Sequence, residues 1–119
     1  MSSVDDTALY VHVPFCVAKC PYCDFSSRTP HDDGEMTSYV DAARAETRVW
    51  RDRGLLADVS SLYFGGGTPT LLGDELLRLM AGIREHALLR SGAETTVETN
   101  PETTAPALIA QLAEAGVTR

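Results

Sequence analysis

Basic residues are scarce in this chain: 10 Lys and Arg stand against 17 Asp and Glu, for a formal net charge of −7 over 119 residues. Phosphate backbones and anionic membrane surfaces both reward clustered Lys and Arg, and no basic stripe occurs, so no nucleic-acid partner is expected. Long apolar runs are also missing. They extend only a few residues, against roughly 20 for a bilayer-crossing helix, so no transmembrane segment is expected either. The leader Met1-Ser2-Ser3-Val4-Asp5-Asp6 is acidic where a secretory signal would be basic, which points to a cytoplasmic protein. No internal repeat or low-complexity segment occurs, and the long polar stretch is the one from Arg28 to Glu35. With 44% hydrophobic residues, the chain has material for one small domain with a modest core.

Cysteine is as scarce, and its placement is uneven. The 3 cysteines are Cys16, Cys20 and Cys23, in the run Cys16-Val17-Ala18-Lys19-Cys20-Pro21-Tyr22-Cys23. An odd count with no secretory signal argues against a disulfide. Soft thiolates favour an iron-sulfur cluster, copper(I) or zinc. A structural zinc site needs four closed ligands, so His12 or His31 would have to complete it, and the spacing is not that of a usual finger or ribbon. Three thiolates on a four-iron cluster leave one iron without a protein ligand, and the uneven triplet favours that arrangement.

The rest of the chain alternates between two periodicities. Leu9 to Val13 is β-rich and stops at Pro14, which cannot donate to a ladder. Met36, Tyr39, Val40, Ala43, Thr47 and Trp50 recur at helical gaps, with Gly54 as terminator. Val59 to Phe64 predicts a second strand, broken by Gly65-Gly66-Gly67. Leu76, Leu77, Met80, Ile83 and Ala87 share a helix face, with Asp74 as its cap or first-turn acid. Thr95 to Thr99 predicts a third strand. Thr104 is placed to cap a last helix, with Pro106 in its first turn, Leu108, Ile109 and Leu112 on one face, and Gly116 beyond its end. This order predicts an α/β fold of parallel β/α units. Three strands alone would leave unpaired edges, and Val117-Thr118-Arg119 resembles the start of another strand, so the chain is expected to be an N-terminal piece of a longer protein.

Ligands of α/β folds sit beyond the carboxyl ends of the strands. Those ends hold the cysteine loop, the triple glycine and Glu98. On the glycines alone, a tight turn and a ligand-binding loop are equally good readings. Glu98 alone reads as a solvated strand-end acid, Tyr10 as a half-buried strand aromatic and His12 as a satisfied strand histidine. Lys19, Arg28, His31 and His86 read as solvated.

Tyr10-Val11-His12-Val13-Pro14-Phe15-Cys16, the cysteine loop, Gly65-Gly66-Gly67-Thr68-Pro69-Thr70 and Val97-Glu98-Thr99-Asn100-Pro101 together resemble the N-terminal half of the radical S-adenosylmethionine (SAM) proteins related to oxygen-independent coproporphyrinogen III oxidase. The resemblance implies a partial (β/α)6 barrel, of which this chain supplies the N-terminal half as about three β/α units. Residues 1–8 would be a polar leader and residues 9–119 the first part of the radical SAM core domain, its C-terminal remainder absent. It further implies a [4Fe-4S] cluster on Cys16, Cys20 and Cys23, with SAM chelating the remaining iron. Gly66, Gly67, Thr68, Glu98 and Tyr10 would contact SAM, and Tyr22 would cover its adenine or shield the cluster. An electron from a donor such as flavodoxin or ferredoxin would cleave SAM to a 5′-deoxyadenosyl radical.

One departure narrows the family. Oxidases of this group carry another cysteine two residues after the third ligand, where this chain has Phe25. Cys23-Asp24-Phe25 is similar instead to the HemW-type haem chaperones, which keep the cluster and SAM site but deliver haem to an acceptor protein. The resemblance therefore implies a haem chaperone of tetrapyrrole metabolism, with porphyrinogen oxidation as the alternative and a zinc-stapled structural domain as a distant third. Any haem ligands would lie beyond residue 119.

Overall fold

The computed structural model describes residues 7–16, 29–30, 32–100 and 104–119. Strand β1 (Thr7–Val13) leads to helix α1 (Asp33–Asp52), β2 (Val59–Gly66), a short 3-10 turn (Pro69–Leu72), α2 (Asp74–His86), β3 (Leu89–Val97) and α3 (Pro106–Glu114). The strands form one parallel sheet in the order β1-β2-β3, so the predicted succession of β/α units is what the chain adopts.

The period of the strands divides the sheet into two unlike faces. Leu9, Val11, Val13, Leu62, Phe64, Thr95 and Val97 lie on the face that the helices cover, and the apolar members form the core with Val40, Leu76, Leu79, Met80, Ile83, Leu108 and Leu112 of the helices. The opposite face carries Ala8, Tyr10 and His12 of β1, paired with Ser61, Tyr63 and Gly65 of β2. Glu94 and Thr96 of β3 continue the first two of these rows.

Local chemistry sets the ends of the helices. The Asp32 carboxylate accepts from the Glu35 N–H at 2.9 Å and so caps α1. Gly54, at φ 76°, ends the same helix, with Gly54 N–H bonded to Arg51 O and Leu55 N–H to Trp50 O. Gly116, at φ 106°, closes α3 in the same way, through Gly116 N–H to Ala113 O and Val117 N–H to Leu112 O. Asp74 is a first-turn acid of α2, whose N-cap is Gly73. Arg78 of α2 ties the two long helices together through Asp41 of α1 at 2.7 Å, and Glu75 of its own helix holds it at 2.6 Å.

Four details differ from the sequence reading. Trp50 was expected on the core stripe but is 44% exposed. It lines a groove between α1 and β1, an edge strand of the described sheet, together with Thr7, Ala8 and Leu9. Ile109 is exposed while Leu108 and Leu112 are buried, because α3 is only 9 residues long and its stripe is a single i, i+4 pair. Thr104 makes no capping bond to α3, and its hydroxyl donates instead to Asn100 O at 2.7 Å. β3 begins at Leu89 rather than Thr95. The register jumps from Val59–Leu89 to Ser61–Glu94, so a bulge containing Gly92 at φ 81° joins a polar stretch to the strand. Val117-Thr118-Arg119 does run beside β3, through Thr118 N–H to Thr95 O at 2.8 Å and Val97 N–H to Arg119 O at 3.0 Å.

Candidate functional site

The carboxyl ends of all three strands converge on one rim. β1 leads into Pro14, Phe15 and Cys16, and the glycine segment at the end of β2 folds against that exit. Gly67 N–H bonds Val13 O at 2.8 Å and Thr68 N–H bonds Phe15 O at 2.6 Å. Cys16 follows directly on Phe15, the residue that Thr68 holds. It is buried, and it is a free thiol. Cys20, Cys23 and Tyr22 lie outside the described residues, as do Lys19, Arg28 and His31. Among the described residues no three His, Cys, Asp and Glu side chains gather as a metal site.

The glycines have a job that composition alone could not assign. A Cβ on Gly67 would stand 2.2 Å from the Phe15 carbonyl oxygen, and one on Gly66, which has φ 110°, 2.7 Å from that of Val13. Only glycine lets these two backbones lie against each other. Gly65 faces the opposite way. Its Cβ would meet Tyr63 Cε1 at 2.9 Å, Glu98 Oε1 at 3.0 Å and Tyr10 Cε1 at 3.1 Å, so the bare backbone leaves room for a side-chain cluster on the open face.

That cluster centres on Glu98, the residue after β3, which its N–H bond to Phe64 O at 3.0 Å holds beside β2. The Glu98 carboxylate accepts from the Tyr63 hydroxyl at 2.6 Å through Oε2 and from the Gly66 N–H at 3.2 Å through Oε1. The Tyr63 ring stacks on Tyr10 with centroids 5.9 Å apart, and the Tyr10 hydroxyl is 3.1 Å from His12 Nδ1. Tyr10 is 54% and Tyr63 38% exposed, so this aromatic surface is open. Hydrogen bonding to the Glu98 carboxylate raises the Tyr63 pKa above the usual phenol value. Partial burial, with a smaller contribution from the Glu98 charge, does the same for Tyr10. Tyr39 of α1 supports the rim from behind, its hydroxyl donating to His12 O; burial, then the charge of Glu46, pushes its pKa up to about 12.

A second cluster braces the loops. The buried Thr70 hydroxyl lies 2.9 Å from that of Thr104, which is 2.7 Å from that of Thr99. These hydroxyls join the 3-10 turn after the glycines to the loop that follows Glu98.

The structure therefore brings together Tyr10, Cys16, Gly66, Gly67, Thr68 and Glu98 of the expected site. Tyr63 and the threonine cluster were not expected. Tyr63 was hidden because alternation assigns it a face but not a neighbour. His86, expected to be solvated, packs with its side chain 13% exposed, its Nδ1 2.8 Å from Arg51 Nη1. No helix among the described residues is long and apolar enough to cross a membrane.

Known proteins share this sequence and fold. The radical SAM superfamily profile matches residues 10–119, and the chain belongs to that superfamily. It is 41% identical over 114 residues to a protein named heme chaperone HemW from Mycobacterium tuberculosis (strain CDC 1551 / Oshkosh), covering 93% of this chain and 29% of that protein. It is 39% identical over 116 residues to oxygen-independent coproporphyrinogen III oxidase from Paracoccus denitrificans, covering 94% and 25% respectively. A solved structure of coproporphyrinogen III oxidase (HemN) from Escherichia coli, described as a radical SAM enzyme, superposes with a TM-score of 0.84 at 32% identity, over 92% of this chain and 26% of that one. The chain thus spans under a third of the length of each of these relatives.

Proposed function

We propose that residues 9–119 form the N-terminal part of a radical SAM core that holds a [4Fe-4S] cluster through Cys16, Cys20 and Cys23. The observation that carries this reading is the juxtaposition on one rim of buried Cys16, the Gly66–Thr68 segment and the Glu98 carboxylate. The donor set fits the group. A buried thiol at Cys16 suits iron, and a carboxylate at the open face suits the amino group or a hydroxyl of SAM, with Gly66, Gly67 and Thr68 offering backbone carbonyls, since their N–H groups bond Glu98, Val13 and Phe15. Tyr10 and Tyr22 would supply aromatic surface to the nucleoside. When bound, cluster and SAM supply radical chemistry that no protein side chain provides. The work of this chain is to bind and orient them and to exclude water.

In the whole protein we assign the role of a cytoplasmic haem chaperone in tetrapyrrole metabolism, taking electrons from a donor such as flavodoxin or ferredoxin and passing haem to an acceptor protein. The support is Phe25, which stands where the oxidases of the group carry a further cysteine. Relatives of both names occur at similar identity, so this position weighs more than overall likeness. The test is anaerobic incubation with SAM, reductant and either coproporphyrinogen III or haem. Stable haem uptake without decarboxylated product is expected. Turnover to protoporphyrinogen IX would make the protein an oxidase. Metal analysis after anaerobic reconstitution should give about four irons and four sulfides per chain; one zinc and no iron would leave the zinc-stapled domain instead.

A further inference from the structure

Glu98 is held at both ends of its carboxylate. Oε2 accepts from the Tyr63 hydroxyl at 2.6 Å and Oε1 from the Gly66 N–H at 3.2 Å. The first bond is short and charge-assisted, and the second is long, so the phenol is the stronger tether. A carboxylate has about four lone-pair sites, two on each oxygen. Two are used here, and the free ones open onto the exposed face beside the stacked Tyr10 and Tyr63 rings. Without the Tyr63 hydroxyl, an exposed glutamate side chain would be free to rotate away from the glycine segment, and a cationic ligand would have to order it on binding.

From this arrangement we infer that Tyr63 is a positioning residue, whose hydroxyl holds the Glu98 carboxylate against Gly66 so that it meets a hydrogen-bond donor of the ligand already aligned. The inference rests on the reading of Glu98 as a SAM-binding carboxylate. In this inference the Tyr63 hydroxyl acts through Glu98, to which it is bonded. Its ring keeps the stack with Tyr10 when the hydroxyl is removed, so Tyr63→Phe is a clean deletion of one bond.

The experiment is a double-mutant cycle on the cluster-loaded protein with Tyr63→Phe, Glu98→Ala and the pair. SAM affinity is read from the change in the electron paramagnetic resonance spectrum of the reduced cluster, and iron content is measured alongside. Tyr63→Phe should weaken SAM binding about fivefold at unchanged iron content, the scale expected for losing one partly exposed charge-assisted hydrogen bond. Glu98→Ala should weaken it more, and the double variant should bind as Glu98→Ala alone does. Independently of any ligand, hydrogen exchange at the Gly66 amide should quicken in Tyr63→Phe. Wild-type affinity or wild-type Gly66 exchange in Tyr63→Phe would overturn the inference while leaving the reading of Glu98 intact. So would losses that multiply in the double variant, since Tyr63 would then act on the ligand directly. Wild-type affinity in Glu98→Ala would remove the reading of Glu98 and this inference with it.

Discussion

At the residue scale, two glycines separate the effect of space from that of backbone angle. Gly54 sits at φ 76° with nothing near its Cβ position, so Gly54→Ala meets only the left-handed strain, about 1 kcal/mol. Gly67 lacks that strain, but a Cβ there would lie 2.2 Å from the Phe15 carbonyl oxygen, which is backbone and cannot swing aside. Gly67→Ala should therefore cost more, about 3 kcal/mol, and should also weaken SAM binding by parting the glycine segment from Cys16. Urea unfolding of both metal-free variants checks the order, and equal losses would show that the close approach is unimportant. Tyr39 gives a pH test. An unfolded phenol titrates near 10, and Tyr39 in the fold at about 12. Between those values the unfolded chain gives up a proton that the folded one keeps. The stability contributed by the protonated phenol is complete below about pH 10 and is lost as pH rises through about 12. Tyr39→Phe should flatten this part of the alkaline loss, read as the change in urea midpoint between about pH 9 and about pH 11 in the two proteins. Parallel losses would mean that Tyr39 titrates normally.

At the element scale, the caps decide where the helices begin, and they are testable singly. Asp32→Ala removes the side chain that accepts from the Glu35 N–H on an exposed helix end and should cost about 1 kcal/mol, with little change in SAM binding. A loss near zero in chemical denaturation would mean that water replaces the cap. The same scale shows what could be read from sequence. Period and breakers located the three strands and three α-helices among the described residues, though not the start of β3 or the 3-10 turn, because the apolar spacing, Pro14, Gly54 and Gly116 act through local geometry. Register was not legible. Whether Ser61 faces Glu94 rather than Ser91 depends on a bulge at Gly92, and that choice reflects packing against β2. The site divides in the same way. Residue type and period put Cys16, the glycines and Glu98 at strand ends, while their assignment to a site comes from the family resemblance, since Glu98 alone reads as a solvated acid and the glycines equally as a turn. Tyr63 becomes visible only once β2 and β3 are aligned, and Thr104 reads as a cap until the loop places Thr70 and Thr99 beside it.

At the scale of the whole chain, packing and the proposed site occupy different parts of one sheet. The helix-covered face is apolar and closed; the other is polar, aromatic and open, with the rim at its end. This separation predicts that damage to one side spares or spoils the other asymmetrically. Phe64 is fully buried in the middle of β2, and Phe64→Ala should cost about 4 kcal/mol. That is a large part of the 5–15 kcal/mol typical of a domain, so helical content and the site should fail together. Cys16 is also buried, but it sits past the end of β1, where the loss of one sulfur removes little packing. Cys16→Ala should abolish cluster assembly while leaving the far-ultraviolet circular dichroism and the thermal midpoint of the metal-free protein close to wild type. The discriminating measurement is iron content against helical signal in the two variants. A Cys16→Ala protein that still assembles a full four-iron cluster would refute the ligand assignment. One that unfolds would show that this thiol belongs to the core, so that the rim is not built independently of the scaffold beneath it.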